Sequence, residues 1–498
     1  MRGTGSNVYN ANLAQALARL GHEVHLLCQE REAAELEWVD ALGTWEGDGL
    51  RVERLHERSG PGSVSVYLPD IGGLLPVYVA DRYPGWEART FPELSDSELD
   101  RYLAANVAAG REVAERTGGI DAALANHLVM GPLIVARAGL RFAAKIHGSA
   151  LEYTVKPNPR FRPHAREGME AAAGVLVGSR HTAESLWREL ADLDLEAKTR
   201  LGPPGVDTAR FAPRERTEAT RAVQTLAERV EAGSGEGLGR RPAEAGEALR
   251  SFAAADGPRV AFVGKLIVSK GVDLLLAAWP LIHAENAGAR LLLVGFGEYD
   301  ETSRRLWACI AAGDLSGARE IARRGRGLEG GPEGELRILA AFLDDPPSGY
   351  AQAATAAAGS VDFAGRLEHD EVAELLPASD ALVMPSTFPE SFGMVAAEAA
   401  ACGVLPVSAA HSGMLEVSRR LAEALPGDLG VLTSFAVREG AVAELAERVR
   451  GWLELDPGRR REIGAALAQR VRELWSWEGV ARGVIAASRG ELTGLPEP

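Results

Sequence analysis

The sequence predicts an α/β protein built from two doubly wound, mostly parallel sheets. Three observations lead there. The chain has 498 residues, and single cores stop growing near ~250–300 residues, so two domains are the default. In two separate stretches, short apolar runs alternate with apolar residues at helical spacing, the pattern of parallel strands joined and covered by helices. Many of these runs end in glycine or proline before a polar loop, and open α/β sheets bind ligands beyond the carboxyl ends of their strands.

Taken in order, Val8, Leu13, Leu17 and Leu20 fall on one helical face, Gly21 stops that helix, and Val24–Leu27 forms a short buried strand. Ala122–Asn126 and Ala143–His147 read as strand ends. Ala173–Gly178 reads as a strand and Thr182–Leu190 as a helix. The second series starts near residue 258, with strands at Val260–Gly264, Arg290–Gly295, Val361–Gly365 and Ala381–Pro385, and a helix at Val272–Ile282. Residues 214–257 and 300–358, rich in Arg, Ala and Gly and the latter helical in parts, break the rhythm and are expected to be insertions or mobile linkers. Val471–Ala487 reads as a helix that packs back across the domains. The division expected is therefore a first domain at 1–213, an insertion or linker at 214–257, a second domain at 258–470, and a returning helix and tail at 471–498. A doubly wound domain opens on a strand, yet this chain opens on the turn Arg2-Gly3-Thr4-Gly5-Ser6. A first strand is expected ahead of Met1.

Composition excludes several classes. Asp+Glu number 70 against 54 Lys+Arg, a net charge of −16, so the chain lacks the basic footprint of a nucleic-acid binder. The three cysteines, Cys28, Cys309 and Cys402, are dispersed and form no CxxC, which argues against a disulfide scaffold or structural zinc and suits a reducing cytoplasm. No apolar run approaches the ~18 residues of a membrane span, and the opening MRGTGSNVYN has no apolar signal core. The GxSxG, HExxH and GxxxxGK[ST] motifs do not occur, and no GxGxxG of the Rossmann type follows an apolar strand, which disfavours a nicotinamide enzyme.

The strongest chemical signal is PSTFPESFGMVAAEAAACG, residues 385–403. Glu390 and Glu398 flank Ser391-Phe392-Gly393-Met394, which open a helix after a strand. The free N–H groups of that opening suit an anion. Glu390 at the turn can accept from a sugar hydroxyl, and Glu398, about two turns into the helix, from a ribose diol. An isolated glutamate pair more often caps a helix and lines a solvated face. The strand–turn–helix setting argues for the ligand role. In GKLIVSKGVDLLLAAWP, residues 264–280, Gly264 ends a strand and Lys265 and Lys270 follow in the loop. Lone loop lysines are usually just solvated, but two ammonium groups at a strand end can neutralise a diphosphate and its leaving-group charge. Gly295-Phe296-Gly297 is a tight turn that can line the same pocket. After Gly365, Arg366-Leu367 can offer backbone atoms to a base, with Glu368, His369 and Asp370 starting a helix and Asp370 as its N-cap. His147 ends a strand, where a structural histidine is the commoner reading. His127 is equally ambiguous.

These segments, in this order, resemble glycosyltransferase family 4 of the GT-B fold, the retaining, nucleotide-sugar-dependent group that includes sucrose and glycogen synthases. The resemblance runs through GTGSNVYNANLAQALARLGHEVHLL, the strand-end HGS, PPGVDTARF, FVGKLIVSKGVDLLL, LLLVGFGEY and PSTFPESFGMVAAEAAACG, and leaves out the two insertions. It implies two Rossmann-like domains facing across a cleft, with the first on the acceptor side and the second holding the donor. It also implies site roles. Lys265 and Lys270 match the basic diphosphate residues, Glu390 the donor-sugar residue and Glu398 the ribose residue. Phe392, Gly393 and Met394 lie along the donor, with Gly264, Gly295 and Leu367 around it. Gly3 and Gly5 match the loop at the phosphates, and His147 the histidine at the transferred sugar. Transfer would retain anomeric configuration with no metal and no cofactor beyond the nucleotide-sugar substrate. Two positions depart from the family. Lys265 stands where arginine is usual, and Gly403-Val404-Leu405-Pro406 is one residue longer than the usual Gly-x-Pro. The loop Ala409–Gly413, with His411 and Ser412, is placed to meet the donor.

The acceptor, a hydroxyl of a sugar, glycolipid or small molecule, is expected on the first domain. Tyr67, Tyr78, Arg82, Tyr83, Trp86 and Phe91 can stack on sugar rings or simply pack a loop. Lys156, Arg160, Arg162, His164 and Arg166 can receive an anionic acceptor or a membrane headgroup, or be solvated. The expected location is the cytoplasm, extending to weak contact with the inner face of the membrane. A non-catalytic binding or scaffold protein of the same fold and a nucleotide-sugar epimerase are the alternatives.

Overall fold

The structure is a computed structural model that describes residues 5–47, 49–57, 60–78, 86–233 and 239–498. The chain forms two compact units. One comprises residues 1–205 and 475–498, the other residues 206–474. The division therefore falls at Gly205/Val206 rather than at 213.

In the first unit, β1 (Glu23–Leu27), β2 (Ala41–Glu46), β3 (Gly49–Arg54) and β4 (Ser63–Leu68) form one sheet in the order β1-β4-β2-β3. β5 (Leu74–Val77) pairs with β6 (Glu87–Thr90). A second, parallel sheet has the order β10-β9-β8-β7, from β7 (Ala123–Asn126), β8 (Phe142–Ile146), β9 (Gly174–Val177) and β10 (Thr199–Leu201). The unit thus holds two four-stranded sheets where the sequence suggested one. Among the described residues no strand pairs with both β1 and β7. The β2–β3 hairpin was not foreseen because β3 is exposed at all but Leu50 and carries no apolar run. Glu112, from the helix Asp96–Arg116, holds it by accepting from the Trp45 indole (2.7 Å) and the Leu50 amide (2.9 Å).

The predicted single helix over 471–487 is two. Pro457–Leu474 belongs to the second unit, and Trp477–Ser488 to the first. The break is Ser476, whose hydroxyl caps the latter helix by accepting from the Gly479 amide. Trp477, Ala481, Val484 and Ala487 pack with Tyr9, Leu13, Ala16, Ala143 and Leu176.

In the second unit, β11 (Arg259–Val263), β12 (Arg290–Val294), β13 (Val361–Gly365), β14 (Ala381–Met384), β15 (Leu405–Ala409) and β16 (Ser434–Phe435) form one wholly parallel sheet, β13-β12-β11-β14-β15-β16. This is the doubly wound order 3-2-1-4-5-6, and its direction reverses between β11 and β14. The helix Val272–Glu285 is buried over nearly its whole surface, as a helix inside a large core must be.

Neither irregular segment is a loose linker. Residues 214–257 form the helices Arg216–Ala232 and Pro242–Ala253, which bury Ala219, Val223, Leu226, Val230, Leu249 and Phe252. The 219/223/226/230 spacing is a helical stripe, masked in the sequence by the charged residues around it. Residues 300–358 form four further helices that bury Leu306, Trp307, Leu339 and Leu343. Tyr350 anchors them by donating to the Ala277 carbonyl (2.8 Å). Among the described residues, no helix is long and apolar enough to cross a membrane.

Candidate active site

The chemistry-bearing residues of the second unit gather beyond the ends of β11, β12, β13 and β14, around the point where strand order reverses. Backbone hydrogen bonds between the strand-end loops build the floor. Gly264 donates to the Val294 carbonyl (3.0 Å), Leu266 to the Phe296 carbonyl (2.8 Å), and Gly295 to the Gly365 carbonyl (2.9 Å). A β-carbon on Gly295 would lie 1.8 Å from the Gly264 carbonyl oxygen, and φ there is +154°. The Gly-Phe-Gly turn therefore fixes the path of the lysine loop. Gly271, at φ +65°, starts the following helix in the same way, because a β-carbon would sit 2.0 Å from the Pro385 oxygen.

Lys270, held just before that helix, forms an ion pair with Glu390. Ser386 donates to the same carboxylate oxygen (2.6 Å). Burial pushes the Glu390 carboxyl up, but Lys270 and the two hydrogen bonds outweigh it, and the group sits below the ordinary carboxylate range. Its backbone is fixed as well. The Glu390 amide donates to Ser412 Oγ (2.9 Å), and the Gly413 amide donates to the Glu390 carbonyl (2.9 Å). His411 bridges the Ser386 carbonyl (2.8 Å) and Ser412 Oγ (3.1 Å). The loop expected to meet the donor therefore braces Glu390. Lys265 is exposed on the same loop. One member of the 300–358 segment also reaches this loop: Glu329 accepts from the Val268 amide (2.8 Å).

The helix carrying the second glutamate runs Met394–Ala401 behind Gly393, whose φ is +99°. Glu398 is thus about one turn in, not two. It is 4% exposed, and His369 shares a 2.8 Å hydrogen bond with its Oε1. Phe392 and Leu367 are buried nearby in the fold, each 8% exposed, and Met394 is half-buried. Asp370 is not the N-cap expected. Glu368 caps its helix in a reciprocal box with Glu371, and Asp370 pairs with Arg210. Sequence reasoning missed Ser386, four residues from Glu390 on the same strand-end loop, and also Glu329 and the partnership of His369, which depend on which loops meet rather than on spacing.

In the first unit His147 follows β8 and shares a 2.8 Å hydrogen bond with Asn126 Oδ1. Its ring centroid lies 5.2 Å from Tyr9 and 4.9 Å from His127. Burial, with His127 and Lys145 beside it, holds the imidazole pKa well below the ordinary value. Gly3 lies outside the described residues, as do Arg82 and Tyr83. Gly5 is the first residue of the helix Gly5–Arg19 rather than part of a turn. The aromatic group is mostly structural, with Tyr67 and Phe91 buried and Trp86 beneath the Arg31 guanidinium. The basic segment is not a free patch. Lys156 pairs with Glu152, Arg160 with Asp96, Arg162 with Glu189, and Arg166 with Glu170 and Asp192. The expected membrane contact loses its charge argument.

Lys145 gives a test of this unit's interior. It is 2% exposed, donates to the Gly202 carbonyl, and burial pulls its pKa down to about 7. Between about 7 and the ordinary lysine value near 10.4 the unfolded chain holds a proton that the folded chain has lost, so stability rises with pH across that window. The expected slope is about 1.4 kcal/mol per pH unit. Denaturant titrations from pH 7 to 10 should show it in the wild type and not in Lys145→Met. Equal slopes in both proteins would contradict the burial argument.

The second unit gathers these residues beyond the strand ends of a doubly wound sheet, and comparison with known proteins gives the class. A family model described as "Glycosyltransferase Family 4" matches residues 3–210, and one described as "Glycosyl transferases group 1" matches residues 351–470. Together they take in well over half of the chain, including Glu390 and Glu398. Lys265 and Lys270 lie between the matched spans. The D-inositol 3-phosphate glycosyltransferase of Geodermatophilus obscurus is 28% identical over 477 residues, 90% of this chain and 86% of that protein. A GDP-mannose-dependent monoacylated alpha-(1-6)-phosphatidylinositol monomannoside mannosyltransferase of Corynebacterium glutamicum is 30% identical over 227 residues, a match spanning 44% of each protein. Among solved structures, the sucrose-phosphate synthase of Thermosynechococcus elongatus aligns over 98% of this chain and 94% of its own, with a TM-score of 0.59 at 20% identity. The protein is a glycosyltransferase of the GT-B fold. The chain belongs to glycosyltransferase family 4.

Proposed function

We propose that the protein transfers a sugar, with retention of anomeric configuration, from a nucleoside diphosphate sugar to a hydroxyl of a sugar, glycolipid or small-molecule acceptor. The observation that carries this reading is the pair of differently partnered glutamates in one strand–turn–helix segment, Glu390 on Lys270 and Glu398 on His369. Lys270 has three N–H donors. It can keep Glu390 in place while giving another hydrogen bond to the diphosphate. Lys265, on the same loop, adds a second cation. The two stabilise charge that grows on the leaving diphosphate, which is where electrostatic catalysis acts. Glu390 orients the donor sugar through its hydroxyls, and Glu398 takes the ribose. The turn Phe392-Gly393-Met394, Gly264, Gly295 and Leu367 line the donor. In the first unit we assign His147 to the transferred sugar. Its depressed pKa keeps the ring neutral, able to accept or donate one hydrogen bond. Same-face attack needs no protein nucleophile in this scheme, because the leaving phosphate receives the acceptor's proton, and no metal is assigned a part.

The relatives named above carry an inositol phosphate and a phosphatidylinositol monomannoside in their names, so acceptors with ring hydroxyls are the first to try. The test is incubation with UDP-, GDP- and ADP-sugars and such acceptors. Nucleoside diphosphate release should accompany a glycoside whose anomeric proton, by NMR, has the donor's configuration. An inverted product would overturn retention. Absence of any product across the panel would overturn transfer.

A further inference from the structure

We infer that His369 is a positioning residue for the nucleotide's ribose, holding one oxygen of Glu398 so that the other is presented to the sugar diol. This rests on the assignment of Glu398 to the ribose made above. The two residues come from separate strand-end segments, His369 from the helix after β13 and Glu398 from the helix after β14. They meet through a 2.8 Å hydrogen bond between Nε2 and Oε1. Among the described residues the Glu398 carboxylate makes no other hydrogen bond, and a carboxylate only 4% exposed needs compensation. Its unengaged Oε2 is the atom left for a ligand donor.

His369 is itself fixed from several sides. Its ring lies 5.0 Å from that of Phe211, tilted by 47°. The turn it occupies is closed by the Glu368/Glu371 box, and Arg240 ties Glu371 at 2.9 Å and Glu368 at 3.5 Å. The charged groups facing the imidazole are Glu398 and Asp370, which favour its protonated form, and Arg210, which opposes it. Burial lowers its pKa, but the Glu398 hydrogen bond and charge outweigh that and leave it above the ordinary value. The pair is therefore weakened as pH rises and the imidazole loses its proton.

A merely structural histidine would weaken all nucleotides alike. A positioning one would erase the protein's preference for an intact ribose. The probes are UDP, GDP and ADP and their 2′,3′-dideoxy counterparts, titrated calorimetrically against wild type, His369→Ala, His369→Gln and Glu398→Ala. The wild type should prefer one ribonucleotide over its dideoxy form by about tenfold or more, the value of a hydrogen bond to a charged group. Glu398→Ala and His369→Ala should both lose that preference. His369→Gln, which keeps an N–H donor, should restore most of it. If Glu398→Ala loses the preference while His369→Ala keeps it in full, the role of His369 is wrong and the ribose assignment stands. If Glu398→Ala keeps the preference, or no ribonucleotide binds the wild type, both fall. If His369→Ala and His369→Gln lose ribo and dideoxy binding equally, with lowered melting temperatures, the histidine only packs and the inference fails.

Discussion

Lys270→Ala should lower glycosyl transfer about 100- to 1,000-fold, the usual cost of removing one group that stabilises transition-state charge. The expectation follows from the proposed donor site. The Lys270 side chain is 29% exposed, enough to reach a ligand, yet its position is set by Gly271 and by Glu390. Removing it also leaves Glu390 with only Ser386 as a side-chain partner. That should cost roughly 1–3 kcal/mol of stability and raise the Glu390 pKa, since the group that outweighs burial is gone. The double variant Lys270→Ala/Glu390→Gln should recover most of that stability and none of the transfer. Initial rates at saturating donor, alongside unfolding curves, separate the two effects. Wild-type turnover in folded Lys270→Ala would contradict the diphosphate assignment.

Gly295→Ala should be the most destabilising conservative change in the second unit. The new methyl would overlap the Gly264 carbonyl at 1.8 Å, in a backbone conformation that other residues rarely adopt. Strain and overpacking each cost about 1–3 kcal/mol, so a loss of roughly 2–6 kcal/mol is expected. Gly427→Ala is the control. Its φ is +61°, but nothing lies within 4 Å of the added carbon, so only the left-handed penalty of about 1–2 kcal/mol applies. Denaturant midpoints of the two variants should differ clearly, and nucleotide binding should weaken only in Gly295→Ala. Equal midpoints would show that the close approach of Gly295 to the lysine loop is not what the turn requires.

The sheet that holds the site was legible because buried parallel strands are continuous apolar runs. Val260–Val263, Leu291–Val294 and Ala381–Met384 all announced themselves that way, whereas the half-buried edge strand Val361–Gly365, interrupted by Asp362, was read from its terminal glycine and its place in the series. β15 did not, since Pro406 sits inside it opposite Leu382 and proline argues against an interior strand. The small strands β2, β3 and β6 were invisible for want of apolar pattern, β5 because Pro76 interrupts its short apolar run, and the helices of 214–257 were hidden by charge. At the site, the spacing of Glu390 and Glu398 and the lysines after a strand-end glycine could be read directly. What each of these residues touches could not. Ser412 on Glu390, Glu329 on the lysine loop and His369 on Glu398 join loops separated widely in sequence, and Ser386 reaches Glu390 through the local path of one turn. The reading of the C-terminal region as one helix failed for a local reason, because Ser476 is a strong N-cap set between two tryptophans.

The most direct test of the central claim, a nucleoside diphosphate site in the second unit built on Glu390 and Glu398, is thermal unfolding with and without UDP, GDP and ADP. A ligand that binds only the folded state at about 100 times its Kd adds about 2.7 kcal/mol. One of the three should raise the wild-type melting temperature by several degrees, and Glu398→Ala should abolish the shift. No shift with any of them, or a shift that persists undiminished in both Glu390→Gln and Glu398→Ala, would contradict the account.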